Sequence, residues 1–307
     1  MTTIDLSNPT PPPASLLDAL PRRVTLTLPE LQLVADRAGG APLPFDVTTP
    51  GDAPALEDRL GVSRATTEDH AYLAAVAALH DPTTTLARRG LLVDDVLDEG
   101  LAGAVGLLAT PTYAVEIDVV VDDVQVKAWH RAGGDAVATL ATSDGIVFEL
   151  AWFPTTAWPG ELARVAVLPE DLVLRDSAVP AHVDLPYELA DAGVEASEGG
   201  RDDLLAVLAS QHDGAVRADA GRPVAPAEVP GLLQALDTEA QGRLRVLVAD
   251  VSHEQTTVVG VRSWVLLADG WRTVRPHHDG TSRVELRRVE PTDLAADLAP
   301  VLAEVAT

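Results

Sequence analysis

Cysteine is absent from the chain, and with it go disulfides, thiol catalysis and thiolate metal sites. Lysine occurs once, at Lys127, within a formal net charge of −25. A nucleic-acid binder needs clustered Lys and Arg to neutralise phosphates, and an anionic membrane surface makes a similar demand, so neither is an expected partner. No apolar run reaches the roughly 18 to 20 residues that cross a bilayer. The opening MTTIDLSNPTPPPAS has no basic region followed by an apolar one. The expectation is a soluble, cytoplasmic protein without membrane insertion. Motifs that carry chemistry are missing as well: there is no glycine-rich bend between strand and helix, no HExxH and no serine elbow. No catalytic, cofactor-binding or metal-binding residue is assigned.

What is present is apolar bulk. Hydrophobic residues make up 47% of 307 positions, enough to exclude a disordered chain and to build a sizeable core. Aromatics make up only 4%, so each tryptophan is a useful marker. Tyr113 to Trp152 reads YAVEIDVVVDDVQVKAWHRAGGDAVATLATSDGIVFELAW. Its alternating runs are broken at Asp122-Asp123, Gly133-Gly134-Asp135 and Ser143-Asp144-Gly145, which are hairpin signals, and they predict a four-stranded antiparallel meander.

A second stretch, Leu244 to Arg288, has the same build. Val126 and Val261, Trp129 and Trp264, Asp144 and Asp279, and Gly145 and Gly280 all differ by 135, as do the cations Lys127 and Arg262. Phe148-Glu149-Leu150 and Val284-Glu285-Leu286 repeat at 136. The working expectation is an internal duplication.

Around these meanders the sequence predicts helices over 29–38, 68–80, 93–108, 159–168, 202–210 and 227–236, with a closing helix opened by Glu290 or Thr292. Gly100, Gly103 and Gly106 inside the third helix imply close approach of a neighbouring backbone. Residues 1–22 read as a loosely attached arm, and 176–200, with two prolines and Gly199-Gly200, as the junction between halves at about 23–175 and 200–307. Helices, then antiparallel strands, then a helix in each half is an α+β pattern. The expectation is one compact body whose meanders pair across a pseudo-twofold axis.

Strand parity supplies candidate binding residues. With Val124, Val126 and Ala128 facing the core, Gln125, Lys127, Trp129 and Arg131 face the other way. At an offset of 135, Arg262 and Trp264 would repeat that face, placing a cation beside a tryptophan twice, and these are residue types rich in binding hot spots. The alternative site is His277-His278-Asp279, which would serve an enzyme or small-molecule binder. Adjacent residues on an extended chain point to opposite sides, which makes shared ligation by the two histidines awkward.

The chain resembles the EspG family, the cytosolic chaperones of the mycobacterial type VII (ESX) secretion systems. The resemblance lies in RVTLTLPELQLVADRAG, a strand passing directly into a helix; in ARRGLL followed by a helix and strands ending DAVATLATSDGIVFELAW; and in TTVVGVRSWVLLADGWRTVRP with its closing helix. It implies an α+β fold with a pseudo-twofold relation between halves. It also implies a non-enzymatic role, binding helical PE-PPE-type heterodimers and keeping them soluble before export, as a monomer or weak homodimer. The partner-facing residues to expect are Asp122, Asp123, Lys127, Trp129, Arg262 and Trp264, together with the C-terminal helices.

Overall fold

Alternation of apolar and polar residues draws both meanders into one sheet. The computed structural model describes residues 21–46, 67–122, 124–253 and 255–305. The expected arm, up to position 20, and Asp123 lie outside the described residues.

In chain order the first half holds β1 (Arg22–Thr27), α1 (Leu28–Arg37), α2 (Thr67–Ala77), α3 (Pro82–Arg88), β2 (Leu92–Val93), β3 (Val96–Leu97), α4 (Glu99–Ala109), β4 (Tyr113–Val121), β5 (Val124–Gly133), β6 (Ala136–Thr142), β7 (Val147–Pro154) and α5 (Trp158–Val165). The second holds β8 (His182–Pro186), α6 (Tyr187–Glu198), α7 (Asp202–Gln211), β9 (Arg217–Ala218), β10 (Arg222–Pro223), α8 (Val229–Thr238), β11 (Gly242–Asp250), β12 (Thr257–Leu267), β13 (Gly270–Asp279), β14 (Thr281–Arg288) and α9 (Leu294–Val305).

Twelve strands form one sheet in the order β1-β7-β6-β5-β4-β11-β12-β13-β14-β8-β9-β10. The order of the first ten reads the same from either side of the centre. In each half the first strand pairs with the last strand of the meander, β1 with β7 and β8 with β14. The halves meet where β4 and β11 run antiparallel, with Ile117 opposite Val246. The architecture is thus α+β, one large antiparallel sheet with flanking helices.

Each face of the sheet is covered differently. On the inner face, α5 and α9 lie over Val115, Ile117, Leu244, Val246 and Trp271, in a core that spans both halves. On the outer face two separate clusters form. One packs α1 and α4 on β6 and β7 through Leu31, Val34, Leu101, Val105, Leu140 and Phe148. The other packs α6, α7 and α8 through Leu189, Leu205 and Leu233 against Leu267, Val284 and Leu286.

Local chemistry explains the entry into the sheet. Thr27 ends β1 and caps α1: its Oγ1 accepts from Glu30 N and Glu30 Oε2 accepts from Thr27 N at 2.9 Å, a reciprocal capping box. Burial raises the Glu30 carboxyl, but hydrogen bonds from Thr85 and Thr27 and the Arg89 charge outweigh it and hold the group below the usual range. Arg89 also donates to Thr25 O at 2.7 Å, covering a free carbonyl on an edge strand, where an open ladder invites pairing with other chains.

Three expectations need correction. The helix expected from Val93 begins at Glu99, after the β2–β3 ribbon. Asp94 and Asp95 turn that ribbon with φ of 49° and 65°, and Asp98 caps α4 by accepting from Leu101 N at 2.9 Å. Of the three glycines in α4 only Gly100 is closely approached, and by a side chain: an added Cβ would lie 3.0 Å from Trp152 Cζ2. The expected junction at 176–200 contains β8 and the whole of α6. β8 forms because β14 would otherwise present an unpaired ladder, and its Val183 and Leu185 fill the outer core.

Candidate partner interface

Register decides which candidate residues share a face. Gly133 pairs with Ala136 across the β5–β6 turn and Leu267 with Gly270 across the β12–β13 turn, so Leu267 is the structural counterpart of Gly133, 134 positions on. Trp129 therefore corresponds to Ser263, and His130 to Trp264. The sequence offset of 135 along β5 and β12 is one residue out of register, and a slip of one moves every side chain to the opposite face. In contrast, β7 and β14 match at 136, because Ala141 faces Glu149 and Arg275 faces Glu285. That same offset carries through to the helices, aligning Trp158 with Leu294 and Glu161 with Asp297.

The expectation that Lys127-Trp129 and Arg262-Trp264 lie on equivalent faces is thus corrected. Trp264 points inward and is 1% exposed. Its indole Nε1 donates to Asp297 Oδ2 at 2.8 Å, Arg262 Nε donates to Asp297 O at 3.2 Å, and the Arg275 guanidinium meets the same carboxylate. Arg262 and Trp264 pin α9 to the sheet; Trp264 is buried there, while Arg262 stays half-buried. Gly260 lets α9 approach: an added Cβ would lie 2.7 Å from Val301 Cγ1.

The corresponding place under α5 is built differently. Trp158 Nε1 donates to His130 Nδ1 at 2.9 Å, and Glu161 takes Arg23 and Arg164 as partners. Burial, aided by the nearby Arg131 and Arg164 charges, pushes the His130 imidazole down to about 3, so the ring stays neutral and accepts the indole hydrogen.

Lys127 and Trp129 belong to the outer face, between the two outer clusters. There, among the described residues, the central strands form a strip with no helix layer of its own. Its cross-strand rows follow from the pairing: Lys127, Asp118, Arg245 and Ser263 in one, Trp129, Glu116, Leu247 and Val261 in the next, and Gln125, Val120 and Arg243 beyond. Lys127, Glu116, Gln125, Arg243, Arg245 and Val261 are exposed. Trp129 is half-buried against Phe45, with ring centroids 5.2 Å apart. Arg131 binds Glu116 at 2.8 Å and Gln125 donates to Asp118 at 2.7 Å. Asp122, with φ of 49°, stands at the end of the strip where β4 turns into β5, its N–H donating to Gln241 O at 3.0 Å. Sequence reasoning missed Arg243, Arg245 and Leu247. The signal was GRLRVLVAD itself, an alternation of cations with apolar residues in a strongly acidic chain.

The histidine cluster does not converge. His277 sits 3.1 Å from Asp184, which is also held by Arg283 Nε at 2.9 Å, whereas Asp279 faces Arg217 at 3.7 Å. Burial raises the Asp184 carboxyl, but the hydrogen bonds and charges of Arg283 and His277 outweigh it and hold the group low. An open depression beside them is lined by Tyr187, Pro276, His277, His278, Ser282 and Arg283.

Fold and surface together define a class: an α+β protein whose single pseudo-symmetric sheet is closed on one face and partly open on the other. No family model and no curated protein sequence matches the chain. Among solved structures it is similar to the Mycobacterium tuberculosis type VII secretion system chaperone EspG5, determined in complex with a PE25-PPE41 dimer. The likeness has a TM-score of 0.58 and covers 92% of this chain and 96% of that one, at 14% sequence identity. The fold is EspG-like.

Proposed function

We propose that the protein is a cytoplasmic, non-enzymatic chaperone that binds helical PE-PPE-type heterodimers and keeps them soluble on the way to type VII export. The observation that carries this reading is the match to a substrate-bound chaperone over nearly the full length of both chains. The outer strip supports it, since it offers exposed apolar residues and charges on a rigid sheet. Docking uses this strip, with Asp122, Lys127 and Trp129 at or beside the contact; Asp123, next in the sequence, is proposed as a further partner-facing residue. Arg262 and Trp264 serve indirectly by seating α9.

The repeated order of elements, with β4 and β11 at the centre, supports internal duplication as the origin of the two halves. It also favours their action as one domain, in a monomer or weak homodimer. Co-expression with PE-PPE-type pairs encoded near the gene tests the proposal. Copurification of a stoichiometric complex through size exclusion is expected, and elution of the protein free of every such pair would sink it.

A further inference from the structure

Cations are scarce in this chain and mostly occupied, yet three stand free together. Among the described residues, Lys127, Arg243 and Arg245 make no hydrogen bond or ion pair, and all three are exposed. They lie on β5 and β11, the strands on either side of β4 in the open strip. Asp118 faces Lys127 on one side and Arg245 on the other, but its carboxylate accepts from Gln125 Nε2 at 2.7 Å, and Glu116 is taken by Arg131. In these rows Glu116 is paired with Arg131 and Asp118 is the one acid set against three outward cations, in a protein whose net charge is −25. Val120 lies beside Arg243 in one flanking row and Leu247 and Val261 lie in the other, the last 38% exposed.

The width of this floor points to its occupant. Strands β5, β4, β11 and β12 span three spacings, about 14 Å, close to the roughly 10–12 Å diameter of one α-helix with its side chains. The outer clusters wall the floor on both sides. Opposite charges across an interface add specificity and association rate, and they reject partners of the wrong sign. We infer that the strip takes one helical end of a protein partner that carries carboxylates beside its apolar tip, read by Lys127, Arg243 and Arg245. The rest of the acidic surface repels the same partner and so confines docking to this strip. The inference rests on the docking face proposed above and adds the charge of what docks there.

Two labelled, stapled helical peptides test it on the full-length protein, identical in their Leu-based apolar face and differing only in Glu or Lys at the flanking positions. The Glu peptide is expected to bind at least about tenfold more tightly, with an affinity that falls as salt rises beyond about 0.1 M. The combined Lys127→Gln, Arg243→Gln, Arg245→Gln variant should abolish that preference, whereas Arg287→Gln, on β14, should leave it intact. Failure of both peptides to bind, equal or tighter binding of the Lys peptide, an unaffected triple variant, or preferential binding of a thymidine oligonucleotide would overturn the inference. A parallel arm repeats the PE-PPE copurification with the triple variant. If pairs copurify with wild type and variant alike, the charge inference falls and the chaperone reading stands. If the Glu peptide binds as expected but no pair copurifies, the reverse holds.

Discussion

The seats of α5 and α9 occupy equivalent places in the two halves, yet they are built from different chemistry. Under α5 the buried link is neutral, an indole hydrogen given to the uncharged His130, with Glu161 and its arginines toward the rim. Under α9 the link is ionic, with Trp264 and two arginines converging on the buried Asp297. Topology therefore dictates that a helix must be pinned here but leaves the means open. A neutral link fails when its acceptor is protonated, and an ionic one fails when its single anion is removed.

Asp297→Ala should break the second seat with the largest effect. It leaves the Trp264 indole and the Arg262 and Arg275 guanidinium groups without their acceptor, a loss expected to cost about 3 kcal/mol or more. Urea unfolding measures it, and a midpoint within error of wild type would show that α9 is held by packing alone.

Acid should attack the first seat. The folded-state pKa of His130 is depressed to about 3, below its ordinary value, so its contribution is complete above about pH 6.5 and is lost as pH falls toward 3. Between pH 7 and 4.5 the loss is about 2 to 3 kcal/mol. His130→Gln keeps an acceptor for Trp158 and should flatten this part of the pH profile. An unchanged profile would move the acid sensitivity elsewhere.

Packing of the second seat gives a smaller effect. Gly260→Ala places a methyl 2.7 Å from Val301, and overpacking of this kind costs about 1 to 3 kcal/mol. Destabilisation together with faster hydrogen exchange in α9 is expected. Full stability would mean that the helix shifts freely. At the other extreme, Lys127→Gln on the open strip should change stability by no more than about 0.5 kcal/mol while weakening partner binding in a pull-down. A large loss of stability would show that the strip is structural rather than exposed for binding.

These contrasts show how much the chain revealed before folding. Both meanders and their turns were legible because alternation and the Gly, Asp and Ser turn residues act over a few positions. Gly145 and Gly280, matched at 135, do have the same left-handed conformation, with φ of 69° and 70°. The faces were not legible. Val126, Lys127 and Trp129 match Val261, Arg262 and Trp264 at a constant offset, yet the paired turns place the counterparts at 134. A chance repeat of Trp outweighed a one-residue slip that only cross-strand pairing exposes.

The segment from 176 to 200 was hidden for a related reason. Its prolines, acids and paired glycines carry a linker signature, and HVDLP is too short for alternation to be heard above them. It is a strand because β14 needs a partner.

By itself the sequence determined the class of the protein: an α+β chain of antiparallel hairpins without thiol chemistry, since local periodicity and composition depend only on neighbours along the chain. The tertiary structure alone decided which tryptophan is core, which arginines stand free, and that Asp297 and His130 hold equivalent helices. Those outcomes depend on register and on contacts between residues far apart in sequence, and no local pattern encodes the face to which a strand will turn.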